Sequence, residues 1–358
     1  MLSCLSMLVG LLLAACGWVG GGPTLSEGGH PPGSQATASM RPLPVGIAAL
    51  VDQARREGRV VVYGVSSTPA EEEEIERAFR DFYGFALDLA FESGLHPQKV
   101  GELVAAARSG VRSGIDLFWS SERTLSDLDR AGLLRDGAWL APLDLPPDGL
   151  MLHGKAARVH DSYLVNVLYN TQKVRADEAP RRYHDLLQPH WQGAIVAPRT
   201  PTQMVHLSYV YGEEWATEFA EGLVRQRIAF VPTYPDATNR VASGEYLLGM
   251  GQTAEREARR GAPLADAPLD IAIVIPWAMS LMADAEHPAG ATLLTYFFTT
   301  PEGQQVLDQT WAISLAAAPD TSAWRVVQGK QAILIPLDWI EREEPRLRRK
   351  FADILGIR

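Results

Sequence analysis

Residues 59–69 read RVVVYGVSSTP. Four β-favouring apolar residues in a row, Val60, Val61, Val62 and Tyr63, predict a short buried strand. A small polar loop, residues 64–68, follows it, and Pro69 with four glutamates behind it opens a helix. A strand that runs into a helix start leaves the first N–H groups of that helix without intrahelical partners, aimed at the space beyond the strand end. The rest of the chain repeats this unit, which predicts an α/β fold of two lobes folded around one crevice.

Working outward, residues 45–57 read as a helix closed by Gly58. The helix after the strand carries Ile75, Ala78, Phe79 and Phe82 on one face, spaced to pack on a sheet. Glu71 to Glu74 fall in its first turn, where carboxylates meet the positive end of the helix dipole. Residues 85–91 and 115–119 are the next strands. Each is followed by a helix, one started by Pro97 and one by Ser121. Strand and helix alternating in this way imply parallel strands with crossover helices. Ligands of such sheets sit beyond the carboxyl ends of the strands. That rule singles out Ser66, Ser67 and Thr68 at one strand end and Trp119, Ser120 and Ser121 at another. Thr68 and Ser121 serve equally as helix caps, a role compatible with ligand contact because the same donors serve both. Trp119 fits either core or pocket.

Composition narrows the class. The chain has 358 residues, 46% of them hydrophobic, and a formal charge of −10 with no long basic run. It can bury two cores and lacks the positive footprint that a nucleic-acid partner would need. The only cysteines, Cys4 and Cys16, lie near the start, so no disulfide or thiol site exists in the folded body. Residues 5–15 are apolar but too short to span a bilayer, which takes about 20 residues. They read as a signal-peptide core ending in Leu13-Ala14-Ala15-Cys16-Gly17. That ending resembles a lipoprotein lipobox, in which Cys16 would be lipidated. No Lys or Arg precedes Arg41, so the usual basic start of a signal is missing. The Gly-, Pro- and Ser-rich stretch 17–44 reads as a flexible tether.

A second β-prone run, 163–169, begins at Tyr163. From there the motifs LYNTQKV (168–174), YHDLLQPHWQGAI (183–195), RVASGEYLL (240–248) and HPAGATLLTYFFTTPEGQQVL (287–307) resemble extracellular solute-binding proteins of the ferric-ion-transport type, the receptors of ABC importers. The resemblance covers most of the chain from Val60 to Ser314. It implies the two-lobed periplasmic-binding-protein fold, type II, with a mixed, mainly parallel sheet in each lobe and hinge strands between them. It also implies a small solute, an ABC permease and ATPase as partners, a monomer, and no enzymatic activity or cofactor. The expected division is 1–16 signal and lipobox, 17–44 tether, 45–165 plus 273–358 first lobe, and 166–272 second lobe.

The second lobe supplies further strand ends. Arg199, Thr200 and Thr202 lie at one, Tyr234, Asp236 and Asn239 at another. Trp277 and Tyr163 are aromatic candidates to wall in an organic solute. Arg199 offers a guanidinium for a carboxylate or phosphate, or else a surface ion pair. Ferric-ion receptors carry adjacent tyrosines after the Gly-Glu strand, whereas here Gly244 and Glu245 are followed by YLLGMGQTAERE. That departure favours an organic anion, a phosphonate or chelated iron over bare iron. No GxSxG, HExxH, P-loop or CxxC occurs. A secreted enzyme or a signalling receptor on the same two-lobed fold is the alternative.

Overall fold

The structure, a computed structural model, describes residues 42–357. The signal stretch with Cys16 and nearly all of the tether lie outside the described residues. Two short helices, α1 (Val45–Ala48) and α2 (Val51–Glu57), stand where one was expected, and Gly58 closes α2 in the left-handed region at φ 69°. Three strand–helix units follow: β1 (Arg59–Tyr63) with α3 (Pro69–Tyr83), β2 (Asp88–Glu92) with α4 (His96–Arg108), and β3 (Leu117–Ser121) with α5 (Glu122–Arg130). Next come β4 (Leu150–Met151) and β5 (Ala156–Ser162). The second lobe contains β6 (Asn166–Asn170), β7 (Ile195–Pro198), α6 (Thr202–Tyr211), α7 (Glu213–Arg225), β8 (Ala229–Val231), α8 (Tyr234–Ala242), β9 (Leu248–Gly251), α9 (Glu255–Arg259) and β10 (Leu264–Asp266). The chain then returns through β11 (Ile271–Leu281), α10 (Pro288–Thr299), α11 (Pro301–Trp311), α12 (Ser322–Val327), β12 (Gln331–Leu334) and α13 (Leu337–Leu355).

The strands form two sheets. The first runs β2-β1-β3-β11-β5-β4, with β12 paired to β11; the second runs β10-β6-β9-β7-β8. The parallel part of each sheet comes from the strand–helix units: β1 with β2 and β3, and β7 with β8 and β9. The antiparallel part comes from the strands that cross between lobes or neighbour the crossings, β5, β6, β10 and β11. Val60 and Val62, fully buried, sit in the interior strand β1. Burying such a side chain contributes roughly 1.5–3 kcal/mol, which is why four in a row commit the segment to the middle of a sheet.

Each sheet has its own core. Val62, Phe79, Phe118, Trp119, Phe298 and Trp311 belong to the first, and Val167, Tyr183, Ile195, Phe219 and Leu248 to the second. The run 163–169 is not one strand: β5 ends at Ser162, β6 begins at Asn166, and the three residues between them are the first crossing. The return crossing is the stretch between Asp266 and Ile271, pinned by Ala267 N–H to the Val167 carbonyl at 2.7 Å.

The C-terminal helix departs from the expected division. That division gave residues 273–358 to the first lobe, but Leu347, Phe351 and Leu355, one stripe at i, i+4 and i+8, join the second core with Ile271 and Ile273. An apolar stripe fixes which face of a helix is buried, not which sheet buries it. The charged run 342–350 pairs across to α7: Arg346 and Lys350 both hold Glu213, at 2.7 Å each. Hydrogen bonds from Arg346 and then Lys350 pull the Glu213 carboxyl down to about 2.

Candidate functional site between the lobes

On the first lobe, β1 leaves the sheet through Gly64, where a Cβ would lie 2.3 Å from the Trp119 carbonyl oxygen. Only glycine lets the two strand ends approach that closely. The loop then closes on α3 by a capping box. The Thr68 hydroxyl accepts from Glu71 N–H at 3.4 Å, and the Glu71 carboxylate accepts from Thr68 N–H at 2.8 Å. Ser67 donates to Glu72, while Ser66 is exposed. At the end of β3, Ser121 occupies the N-cap position of α5 without a capping bond; its hydroxyl lies 3.4 Å from that of Thr124.

Two of the expected contacts prove to be interior. Trp119 is fully buried in the first core and donates its indole N–H to His160 Nδ1 at 3.0 Å, which leaves no face for a solute. Burial pushes His160 down to about 3, so it stands neutral as the acceptor. Tyr163, 5% exposed, donates to the Ala323 carbonyl at 3.1 Å and ties α12 to the crossing. Ser120 is buried as well and is engaged by His96, which no sequence pattern singles out. His96 Nδ1 lies 2.6 Å from the Ser120 hydroxyl and Nε2 lies 3.2 Å from the Gly64 carbonyl. A carbonyl can only accept, so Nε2 carries the proton and Nδ1 accepts from Ser120. Burial lowers the His96 pKa, in keeping with a neutral ring. The Trp277 ring stands 5.3 Å from both His96 and His160, and its indole N–H has no partner among the described residues. Only the meeting of the β1, β3 and α4 ends gives His96 its place.

On the second lobe, Arg199 follows β7. It is exposed, and its guanidinium has no hydrogen bond or ion pair with a described residue. Beside it the Thr200 and Thr202 hydroxyls are 2.7 Å apart at the start of α6, and Arg348 of α13 donates to Thr202 at 3.0 Å. The α8 start is a capping box between Thr233 and Asp236, so Asp236 is the reciprocal partner and not the cap itself. Tyr234 packs over Gly251, where a Cβ would come 3.3 Å from the ring, and burial pushes its phenol up to about 12. Asn239 lies midway along α8, exposed and away from the helix start.

Bridges on two sides show that these ends face each other. From α9, which follows β9, Arg256 and Arg260 reach Glu71 of α3 at 2.7 and 2.9 Å, and Arg259 reaches Asp308 of α11 at 2.9 Å. Along α13, Glu344 meets Arg123 of α5 at 3.6 Å and Arg348 at 3.3 Å. Burial opposes ionisation of Glu71, but the bonds from Thr68 and Arg256 outweigh it and hold the carboxyl below its ordinary range. The glutamates at the start of α3 were expected only to meet the helix dipole; Glu71 also joins the lobes. No group of three His, Cys, Asp or Glu side chains that could hold a metal ion occurs among the described residues. No described helix is long and apolar enough to cross a membrane.

Two α/β lobes, each with its own core, joined where the chain crosses from β5 to β6, from β10 to β11 and again into α13, and facing each other across strand ends, have the architecture of a two-lobed solute receptor. The family comparison agrees: a family model for bacterial extracellular solute-binding proteins matches residues 114–339, well over half of the chain, and the chain belongs to that family. Among solved structures, iron-bound HitA from Pseudomonas aeruginosa is 19% identical with a TM-score of 0.62, over 82% of this chain and 99% of that one. AfuA from Actinobacillus pleuropneumoniae, with exogenous fructose-6-phosphate bound, is 20% identical with a TM-score of 0.61, over 84% and 99%. Trichodesmium IdiA (FutA), in complex with iron and citrate, is 18% identical with a TM-score of 0.62, over 84% and 100%. These likenesses establish the fold. No curated protein matches the chain.

Proposed function

We propose that this receptor serves an ABC importer and captures a small organic anion, a phosphonate or iron carried by an anionic chelator between its lobes. The observation that carries the reading is Arg199. It is an exposed guanidinium without a partner among the described residues, beside the Thr200 and Thr202 hydroxyls and the start of a ten-residue helix. A planar cation beside a helix start suits a carboxylate or phosphate. The solved relatives named above include one with a sugar phosphate and one with iron and citrate, which are anionic cargoes of this kind. The second lobe binds first, and the first-lobe loops add contacts on closure. The ligand shifts the lobes only by its difference in affinity for the two arrangements.

A thermal-shift screen of organic acids, phosphonates, sugar phosphates and ferric citrate tests this directly, because a ligand of the folded form raises its melting temperature. An anion is expected to stabilise the protein and neutral sugars are not; stabilisation by neutral sugars alone would remove the anionic reading. The same proposal places the body outside the cytoplasm as a monomer, held to the membrane by lipid on Cys16 and delivering to a permease with its ATPase. Cys16→Ser is expected to move the protein into the soluble fraction, and retention in the membrane fraction would assign the anchor elsewhere.

A further inference from the structure

A pocket of about 330 Å³ lies beside the return crossing, between the α9–β10 edge of the second lobe and α12. Its walls belong to different bodies. Asp266 ends β10, whereas α12 is fastened to the first lobe, with Asp308 of α11 accepting from Ser322 N–H at 2.6 Å. In the strand order, β6 and β9 separate β10 from β7, so the pocket is apart from Arg199.

Its charges pair at the rim but are not in contact deeper in. At the rim, Glu255 and Arg325 meet at 3.3 Å and answer each other. Deeper in, Asp266 Oδ1 accepts from Ala254 N–H at 2.8 Å and from Asn166 at 2.7 Å, while Oδ2 accepts nothing from a described residue. Across the pocket, the half-buried Lys330 ammonium has no hydrogen bond or ion pair within 4.0 Å among the described residues. Apart from Ser322 the remaining lining is apolar, with Ala254, Ala258, Leu264, Ala267 and Val326 among it.

We infer that this pocket is a second ligand site, for a small zwitterion of the amino-acid class, its ammonium on Asp266 and its carboxylate on Lys330, with an aliphatic side chain against the alanines. Removing two opposite charges from water without letting them meet is costly, and a molecule carrying both complementary charges repays the cost at each end. Burial pushes Asp266 up to about 6 and lowers Lys330, and the attraction of the two for each other across the pocket offsets this only in part. Because the walls belong to different lobes, an occupant also favours one lobe arrangement over others. The site does not depend on the anionic cargo proposed above.

Calorimetric titration of the full chain with L-alanine and L-leucine tests it, using isoamylamine and 4-methylpentanoate as singly charged forms of the leucine skeleton. Saturable binding of at least one amino acid is expected. Lys330→Met and Asp266→Asn should each weaken it at least tenfold, and the singly charged compounds should bind at least tenfold more weakly than leucine. Arg199→Ala should change it less than twofold. If Asp266→Asn does not fold, Lys330→Met alone decides. No saturable heat with either amino acid, equal binding of a singly charged analogue, or full affinity in Lys330→Met would overturn the inference. Loss of binding in Arg199→Ala would assign the amino acid to the anion site instead, and retention there while anions fail to bind would count against the anionic cargo alone.

Discussion

The two walls of the cleft are built from similar residues and do different things. On the first lobe nearly every polar group near the strand ends is engaged within that lobe: Thr68 with Glu71, Ser67 with Glu72, Ser120 with His96, Trp119 with His160. On the second lobe Arg199 is left without a partner among the described residues at the head of α6. The first wall is therefore held largely by bonds among its own residues, its one bridging charge, Glu71, already taken by arginines of α9, whereas the second presents a cation without a partner among the described residues. A serine or threonine at a strand end signals a helix start in either lobe; an exposed guanidinium without a protein partner there is open to a ligand.

The largest effect expected from breaking this contrast is on affinity for an anion. Arg199→Ala should weaken binding tenfold or more, in line with the ~1.5–3 kcal/mol of a charge-assisted hydrogen bond, and leave the unliganded melting temperature unchanged. Calorimetry with an anion found by the thermal-shift screen measures this. Equal affinity in the variant would make the two walls alike.

A smaller effect sharpens the contrast from the other side. The depressed Glu71 carboxyl strengthens the α9 bridge while ionised. Its contribution is present above its ordinary value of 4.5 and is lost as the pH falls through the lower value of the folded protein. Half-exposed arginine pairs of this kind contribute up to about 1 kcal/mol. Melting temperatures from pH 7 down to 3 should fall more steeply in the wild type than in Glu71→Gln, which has no charge there to lose. Parallel curves would mean that the bridge contributes nothing.

Much of the fold is legible in local pattern. The run Val60 to Tyr63 can hardly be other than an interior strand, and the helix starts at Thr68, Ser121 and Thr202 are legible from residue type and spacing. Relations set by distant parts of the chain are not legible in this way. The run 163–169 looks continuous, but only residues 166–169 enter β6, because Tyr163 is drawn to Ala323 and Val165 enters the other core. The stripe on α13 is visible in the sequence; the sheet that buries it is not. Trp119 at a strand end is ambiguous until His160, 41 positions away, is seen to accept its indole hydrogen. Glu71 and His96 gain their roles from Arg256 and Ser120, partners that no spacing rule brings together.

The central claim is that two independently cored lobes change their separation when a small solute enters between them. Small-angle X-ray scattering of a chain carrying Glu71→Gln and Arg259→Ala, which removes the arginine bridges of α9, tests it most directly. A larger radius of gyration than the wild type is expected without solute, with a return to the wild-type value when a saturating anion from the screen is added. Identical scattering in all three states, with binding confirmed by calorimetry, would contradict it.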